Sequence, residues 1–394
     1  MSMRTLIVGA GVAGPALAYW LRRAGHEVTL VERAPRLRTG GYLIDFWGAG
    51  FEVADRMGIA PRLIEEGYVL SGAYDVDDRG RVRARVNQAR LAESVGGRYV
   101  SIVRSDLARA LCDCVDAGVE FILGDTVAAL TDQGDHVDVE FERSEPRRFD
   151  LVFGADGLHS RVRELAFGPQ DRFEQELGIA VAAFDVDGYR PRDENTVVMH
   201  AAVGSQSARV ALRDDVTLFL LTFRHDGALP DDPEAQRELV RTAMADAGGE
   251  TPKILEHLPR ARTLYLDRAS QIRMPQWSRG RIALLGDAAA CPSLLAGQGA
   301  ALAMAEAYVL AVELVRSGGD HRVAFREYER RMMPMVLAKQ DGARGLATAF
   351  APLTRGKLRL RNALFRMMGI RFVANLVMGR SLRDPIEVPD WPGV

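Results

Sequence analysis

The chain has 394 residues, of which 47% are hydrophobic and 26% charged, with a formal net charge of −2 at pH 7. This composition is typical of a globular protein with room for two domains, and the balanced charge excludes a general attraction to nucleic acid or acidic membranes. The three cysteines have no metal-ligand spacing, and we find no signal peptide and no apolar run of about 20 residues. We therefore expect a cytoplasmic protein with neither a metal site nor a stable membrane insertion.

A phosphate-binding loop is predicted in the first stretch, RTLIVGAGVAGPALAYWLRRAGHEVTLVER, residues 4–33. A short buried strand runs into Gly9-Ala-Gly11-Val-Ala13-Gly14, and a helical pattern follows. Gly9 makes the tight turn, Gly11 lets the backbone approach a pyrophosphate, and Gly14 lets the helix pack closely on the strand. The start of the helix supplies N–H donors for the phosphates.

The second strand of this unit ends at Glu32. A carboxylate at that position accepts hydrogen bonds from an adenosine ribose and repels a 2′-phosphate, so the loop favours FAD or NAD over NADP. The loop alone does not choose between FAD and NAD. We expect the next residue, Arg33, to lie beside the adenosine.

Two later stretches carry further structural signals, a hairpin and a strand that ends in a polar loop. Residues 72–86 contain two extended segments around a polar turn, which predicts a hairpin. Residues 149–163, FDLVFGADGLHSRVR, contain a short strand that runs into a loop with Asp156 and Gly157.

A different architecture is predicted between residues 177 and 270, where 196–223 is typical of three strands joined by short turns. A helix is predicted at 233–247, and extended chain at 263–274. We expect an antiparallel substrate domain inserted into the dinucleotide-binding domain, with the substrate at their interface. Side chains alternate along a strand, so only one set of strand residues can face that pocket. Candidates for the pocket wall are Phe46, Trp47, Met199, His200, Phe219, Leu221 and Phe223.

The stretch RIALLGDAAACPSLLAGQGAALAMAEA, residues 281–307, ends a buried strand at Gly286-Asp287. Small residues surround the carboxylate of Asp287 and leave room for a ligand along the backbone. A second helix is predicted after Gly297-Gln298-Gly299, and the N–H groups at its start point toward anionic charge. Beyond it, helices are predicted at 325–349 and 358–378. The second of these is basic and amphipathic. We expect it to pack over the first domain, with a membrane-surface helix as the alternative.

The three motifs in this order resemble those of the class A flavoprotein monooxygenases, the family of p-hydroxybenzoate hydroxylase and the tetracycline-inactivating monooxygenases, over essentially the whole chain. The resemblance implies an α/β fold with a Rossmann-type FAD-binding domain, an inserted antiparallel-sheet substrate domain and C-terminal helices. The expected boundaries are 1–71, 98–176 and 271–345 for the FAD-binding domain, 72–97 and 177–270 for the substrate domain, and 346–394 for the helical tail.

The resemblance also implies where FAD is held. The first loop binds the ADP part, Asp156 lies near the pyrophosphate, and Gly286-Asp287 binds the ribityl or pyrophosphate region. Residues 297–299 lie at the N1/O2 edge of the flavin. Two further positions carry over from the family, Arg104 at the FAD phosphates and Gly41 in a loop over the ribityl chain and ring. Many family members have histidine after GDAA where this chain has Ala290, and the following proline, Pro292, is shifted.

The implied function is an FAD-dependent monooxygenase that consumes NADPH or NADH. Through a C4a-hydroperoxyflavin it would insert one oxygen from O2 into an aromatic or polyketide-like molecule. Because no second GxGxxG loop is present, the nicotinamide would bind transiently. The cofactor carries the reaction, so no conspicuous catalytic dyad is expected. The alternatives are an oxidase, epoxidase, dehydrogenase or halogenase of the same fold, and a non-catalytic flavin-binding protein. The chain is expected to be a monomer or homodimer.

Overall fold

The computed structural model describes residues 2–37, 40–87, 97–115, 118–368 and 387–392. Its strands are β1 (Arg4–Val8), β2 (Glu27–Glu32), β3 (Leu43–Trp47), β4 (Gly72–Val76), β5 (Val82–Val86), β6 (Tyr99–Val103), β7 (Val119–Leu123), β8 (Val127–Asp132), β9 (Val137–Phe141), β10 (Arg147–Phe149), β11 (Leu151–Gly154), β12 (Glu174–Asp187), β13 (Thr196–Ala202), β14 (Ser205–Ala211), β15 (Val216–Arg224), β16 (Tyr265–Ile272), β17 (Ser278–Arg279) and β18 (Ile282–Leu284). Its helices are α1 (Ala13–Arg23), α2 (Ala49–Arg56), α3 (Ala60–Glu66), α4 (Arg104–Cys114), α5 (Arg161–Phe167), α6 (Pro233–Ala243), α7 (Thr251–His257), α8 (Asp287–Ala290), α9 (Gly299–Arg316), α10 (His321–Phe350) and α11 (Arg355–Met368).

The predicted β–α–β unit is confirmed as the centre of a six-stranded sheet with the order β17-β18-β11-β1-β2-β7. The strands are parallel except for the β17–β18 pair. In β1, Leu6, Ile7 and Val8 are at most 2% exposed, because helices cover the sheet and exclude water from it. Helix α9 is apolar almost all round and packs against α1, α2 and α10, which explains its lack of a polar face.

The second sheet has seven strands in the order β16-β12-β15-β14-β13-β4-β5. The three strands predicted at 196–223 and the hairpin at 72–86 are confirmed. Neighbouring strands are antiparallel except for β4 and β13, which pair in parallel. A parallel pair needs a long connection, which the chain between β5 and β13 provides. Helices α6 and α7 cover one face of this sheet, and its other face packs against α10, Leu294, Leu295 and the start of β3.

Two smaller sheets, β10-β9-β8 and β3-β6, were not anticipated from the sequence. The division into domains stays a prediction. Three of its expected boundaries, 176/177, 270/271 and 345/346, fall inside β12, β16 and α10, so these elements run continuously across them.

The C-terminal helices correct one expectation. Helix α11 packs against the seven-stranded sheet, not over the first domain, because Arg361 reaches across it to Asp75 of β4 and Gln206 of β14. Residues 369–378 of the helix predicted at 358–378 lie outside the described residues. None of the helices in the described part of the chain combines the length and hydropathy that crossing a bilayer requires.

Candidate functional site

The loop after β1 has a backbone that only glycine allows. Gly9 has a φ of +108°, and a Cβ at Gly14 would lie 1.9 Å from the carbonyl oxygen of Gly9. A Cβ at Gly11 would meet no atom within 4 Å, so the space beside this residue is open to a ligand. No side chain caps the start of α1 at Ala13, which leaves its first N–H groups suited to an anion. The loop therefore fits a pyrophosphate.

Glu32 ties this loop to the end of β2. Its carboxylate accepts hydrogen bonds from the N–H groups of Ala10 and Ala34, both at 2.9 Å. A carboxylate has about four acceptor positions, so the half-buried group can still accept from a ribose hydroxyl. Arg33 is exposed beside it. The adenosine roles of Glu32 and Arg33 stay predictions.

Asp156 is occupied as a helix cap. Its Oδ2 accepts from the N–H groups of Arg161 at 2.7 Å and Val162 at 3.1 Å, at the start of α5, and its Oδ1 accepts from the hydroxyl of Ser160 at 2.5 Å. Burial raises the pKa of Asp156, although these hydrogen bonds act in the opposite direction. The described contacts of Asp156 thus shape the loop, and its predicted position near the pyrophosphate is untested.

Arg163 connects this loop to the one after β18. Its guanidinium is completely buried and donates to the carbonyl oxygens of Leu158 at 2.6 Å and Ala288 at 2.9 Å, and to Gln170 at 3.1 Å. Burial lowers the pKa of Arg163, although the nearby charges of Asp156 and Glu174 act in the opposite direction. Arg163 ends the stretch 149–163, but its contact with Ala288 joins residues 125 positions apart and was not predicted from the sequence.

The turn after β18 touches the first loop. Gly286 has a φ of +61°, and a Cβ there would lie 3.1 Å from the Cβ of Ala13 and 3.4 Å from that of Ala303. The N–H of Gly286 donates to Oε2 of Glu306 at 2.5 Å. Two motifs that are distant in the chain are thus brought into contact, and their small residues are what permits it.

Asp287 lies where two helices begin. It starts α8, and a Cβ at Gly299, the first residue of α9, would lie 3.5 Å from its Oδ1. Gly297 adopts the left-handed conformation just before α9, and no side chain caps that helix, so its first N–H groups suit a ligand with anionic character. Gln298, the N-cap residue, is buried.

Arg104 places a cation in the same region. Burial would lower the pKa of Arg104, but neighbouring Tyr42 and Asp287 raise it. Burial raises the pKa of Tyr42 to about 12, and the ring of Tyr42 lies 5.4 Å from that of Tyr265 on β16. Arg104 donates its backbone N–H to the carbonyl oxygen of Tyr42, which immediately follows Gly41. The predicted positions 41, 104 and 287 therefore lie in one neighbourhood.

The seven-stranded sheet assigns the candidate wall residues to opposite faces. Phe219 and Phe223 pack with Leu221 into the cluster covered by α6 and α7. His200 points to the same side, where its Nε2 lies 2.8 Å from Oδ1 of Asp78. Strand alternation directs these side chains away from the loops just described, so we no longer place the pocket wall there.

The opposite face carries the better candidates. Leu220 packs toward Leu294 and Phe350, and Leu218 lies in a cluster with Tyr42. Met199 is half-buried on this same face, because it pairs with Ala208 and Ala208 pairs in turn with Leu220. This face carries apolar side chains toward Tyr42 and Leu294, and near β4 it also carries Asp75 and Gln206, which bind Arg361.

Phe46 and Trp47 belong to the interior. Phe46 is fully buried against Phe51, with ring centres 6.1 Å apart, and Trp47 is 9% exposed beside Tyr99. The neighbouring Asp45 was missed from the sequence. Its Oδ1 accepts from the hydroxyls of Tyr99 and Ser101, both at 2.6 Å, and burial raises its pKa.

Residues missed from the sequence share one property. Tyr42, Tyr265 and Glu306 become neighbours of Arg104, Asp287 or Gly286 only when distant segments pack together. Asp45 likewise meets Tyr99 and Ser101 through the pairing of β3 with β6. The acids inside the apolar pattern of α9 were the available signal for Glu306, but they do not distinguish it from Glu313. The part of the chain that the structure describes contains no cluster of metal-ligating side chains.

Comparisons with known proteins agree with this geometry. The family profile described as FAD binding domain matches residues 2–335. The chain is 39% identical over 349 residues to an uncharacterized protein of Mycobacterium tuberculosis, covering 86% of this chain and 92% of that protein. It is 32% identical over 399 residues to a Legionella longbeachae protein named flavin-dependent monooxygenase, covering 99% and 98% of the two chains. The crystal structure of tetracycline destructase Tet(55) superposes with a TM-score of 0.83 at 30% identity, covering 99% of each chain.

Proposed function

We propose a substrate class and a reductant for this chain, which belongs to the FAD-binding domain family and is, by its relatives, a flavin-dependent monooxygenase. It hydroxylates a bulky, largely apolar small molecule at the expense of NADPH or NADH. The observation that carries the proposal is the contact between the loop after β1 and the turn at Gly286. The open phosphate loop and the start of α9 adjoin this contact, and the cation of Arg104 lies near Asp287. We place the sheet face with Leu218 and Leu220 opposite them.

These residues fit FAD. The N–H groups at the starts of α1 and α9 and the guanidinium of Arg104 would hold the phosphates and the electron-rich edge of the ring. Glu32 would accept from the adenosine ribose, and Asp287 from the ribityl hydroxyls. Bound FAD would supply electron transfer from the nicotinamide and activation of O2, which no side chain supplies.

The protein's own task is to orient the substrate and exclude water. The half-buried face with Met199 and Leu220 would contact the substrate by apolar packing, which suits an aromatic or polyketide-like molecule. The balanced reaction converts substrate, O2, NAD(P)H and one proton into hydroxylated substrate, NAD(P)+ and water. One oxygen atom goes to the substrate and the other to water.

The test begins with the absorbance spectrum of purified protein after addition of FAD and removal of unbound flavin. NADPH and NADH oxidation is then followed in air with a panel of phenols and polyketides. The masses of products formed under 18O2 are measured by mass spectrometry. Substrate-stimulated oxidation and a product heavier by one labelled oxygen support the proposal. Bound flavin with peroxide as the sole product indicates either that the panel lacks the substrate or that the protein is an oxidase. Absence of flavin binding contradicts the proposal altogether.

A further inference from the structure

A buried carboxyl group lies directly beneath the turn that follows β18. Glu306, on α9, is 1% exposed, and its Oε2 accepts from the N–H of Gly286 at 2.5 Å and from the hydroxyl of Tyr328 at 3.2 Å. The same hydroxyl lies 3.2 Å from the carbonyl oxygen of Leu284 in β18. Glu306 thus joins α9, α10 and the end of β18 at the residue that precedes Asp287.

No cation neutralises this carboxyl group among its described contacts. Burial raises the pKa of Glu306 to about 8, Asp287 adds to the rise, and the hydrogen bonds from Gly286 and Tyr328 oppose it. Glu313 provides the contrast. It is buried two turns further along α9, but lies 3.3 Å from Arg316 and 3.0 Å from Arg331.

The remaining charged groups around α9 are engaged elsewhere. On α2, Arg56 binds Glu52 and the hydroxyl of Tyr308. On α10, Glu329 accepts from the N–H of Trp277 and the hydroxyl of Ser278, and on β3, Asp45 accepts from Tyr99 and Ser101. The buried residues of α1 are apolar or glycine. Asp287 is therefore the charged neighbour that acts on Glu306.

We propose that Glu306 is a positioning residue that holds the Gly286–Asp287 turn in its FAD-binding geometry as a neutral carboxylic acid. In this form it accepts the N–H of Gly286 without adding a second negative charge beside Asp287 and the anionic cofactor. An ionised Glu306 would weaken the positive electrostatic potential at the start of α9, where we place the flavin. This inference rests on the proposed binding of FAD.

The proposal links FAD binding to a proton. Above about pH 8 Glu306 ionises, and FAD binding then requires that Glu306 take up a proton again. The affinity for FAD should therefore fall by up to about tenfold per pH unit. Glu306→Gln keeps a neutral acceptor of nearly the same shape. Its FAD affinity should lie within about threefold of the unmodified protein at pH 7 and should not follow this fall.

The experiment measures FAD affinity of the cofactor-free protein by quenching of flavin fluorescence from pH 6.5 to 9.5, with thermal unfolding recorded at each pH. Glu313→Gln is the matched control, because it makes the same chemical change on the same helix and should retain the fall. Tyr328→Phe removes a hydrogen bond that favours the ionised form. It should move the fall to higher pH, which provides a second test if Glu306→Gln does not fold.

The outcomes separate the two proposals. Parallel pH profiles for Glu306→Gln and the control contradict the role of Glu306, as does a folded Glu306→Gln protein that loses FAD at pH 7. If Tyr328→Phe folds and Glu306→Gln does not, the fall in FAD affinity of Tyr328→Phe should lie at higher pH. A fall at the same or a lower pH contradicts the role of Glu306 as well. If the unmodified protein binds no FAD at any pH, the proposed function fails instead.

Discussion

The guanidinium of Arg361 lies 2.6 Å from Oδ1 of Asp75, and the two side chains are only 3% and 1% exposed. Arg361 also donates to Gln206 at 2.7 Å, while Oδ2 of Asp75 has no partner among the described residues. This pair fastens α11 to the face of the sheet that carries Met199. It therefore holds a C-terminal helix beside the proposed substrate pocket.

Removing one partner of this pair should be costly. Arg361→Ala leaves the carboxylate of Asp75 buried and unpaired, and we expect the free energy of unfolding to fall by about 3–5 kcal/mol. Denaturant titration measures the change. Arg359→Ala on the exposed side of the same helix should alter it by less than about 0.5 kcal/mol. A similar loss of unfolding free energy in both variants would show that breaking the buried ion pair costs no more than removing an exposed arginine.

Two glycines of the first loop should separate folding from cofactor binding. Gly14→Ala places a methyl group against the backbone of Gly9 and should lower stability by about 1–3 kcal/mol or more. Gly11→Ala enters open space, so its unfolding temperature should be unchanged while FAD affinity falls at least about tenfold, because the methyl group fills the ligand's position. Calorimetry and fluorescence titration report the two effects. Undiminished FAD binding by Gly11→Ala would place the pyrophosphate elsewhere.

Arg104 should contribute more to FAD affinity than any neighbouring cation on its helix. Loss of a charged hydrogen bond costs about 1.5–3 kcal/mol, so Arg104→Ala should bind FAD roughly 10–150-fold more weakly. Arg109 is half exposed on the same helix and pairs with Asp106, so Arg109→Ala is the control and should bind normally. Equal affinities of the two variants in equilibrium titration would refute the assignment of Arg104.

His159 should make stability depend weakly on pH. Hydrogen bonding to Asp267 raises the pKa of His159, although burial opposes the rise, and the contact joins the loop before α5 to β16. A raised folded-state pKa means that this contribution is complete below about pH 6.5 and disappears as the pH rises through the folded-state value. With His159 55% exposed, we expect less than about 1 kcal/mol. His159→Gln and Asp267→Asn should each remove this part of the pH dependence measured by denaturant titration, and its persistence in both would disprove the contact.

Met199 should affect substrate recognition without a comparable effect on folding. Met199→Ala should raise KM for a substrate found in the panel, because it removes apolar contact from the wall. Val198→Ala lies one residue away on the opposite face and should lower stability while leaving KM unchanged. Steady-state kinetics and unfolding curves measure both. The reverse pattern would place the pocket on the side of α6 and α7.

Local pattern was sufficient wherever a short stretch carries its own geometric requirement. The glycines of the first loop, the acid at Glu32 and the strand–turn–helix at Gly286 were predicted because each needs particular backbone conformations or terminal charges within a few residues. The hairpin at 72–86 was found for the same reason. The second partner of β4, however, is β13, a strand more than one hundred residues away in the chain, and no local pattern specifies that pairing.

The sequence by itself indicated a dinucleotide-binding fold, because spacing and side-chain size within the first loop require it. The choice of FAD came from the resemblance of three ordered motifs to those of a known family, and the cofactor roles of the individual loop residues stay predictions. Tertiary structure decided which face of the second sheet α6 and α7 cover, since alternation leaves two choices until those helices pack on one of them. It also decided that Glu306 lies under Gly286 and that Arg361 reaches Asp75. These are meetings of distant segments, and they depend on how helices and sheets pack together, which local periodicity does not contain.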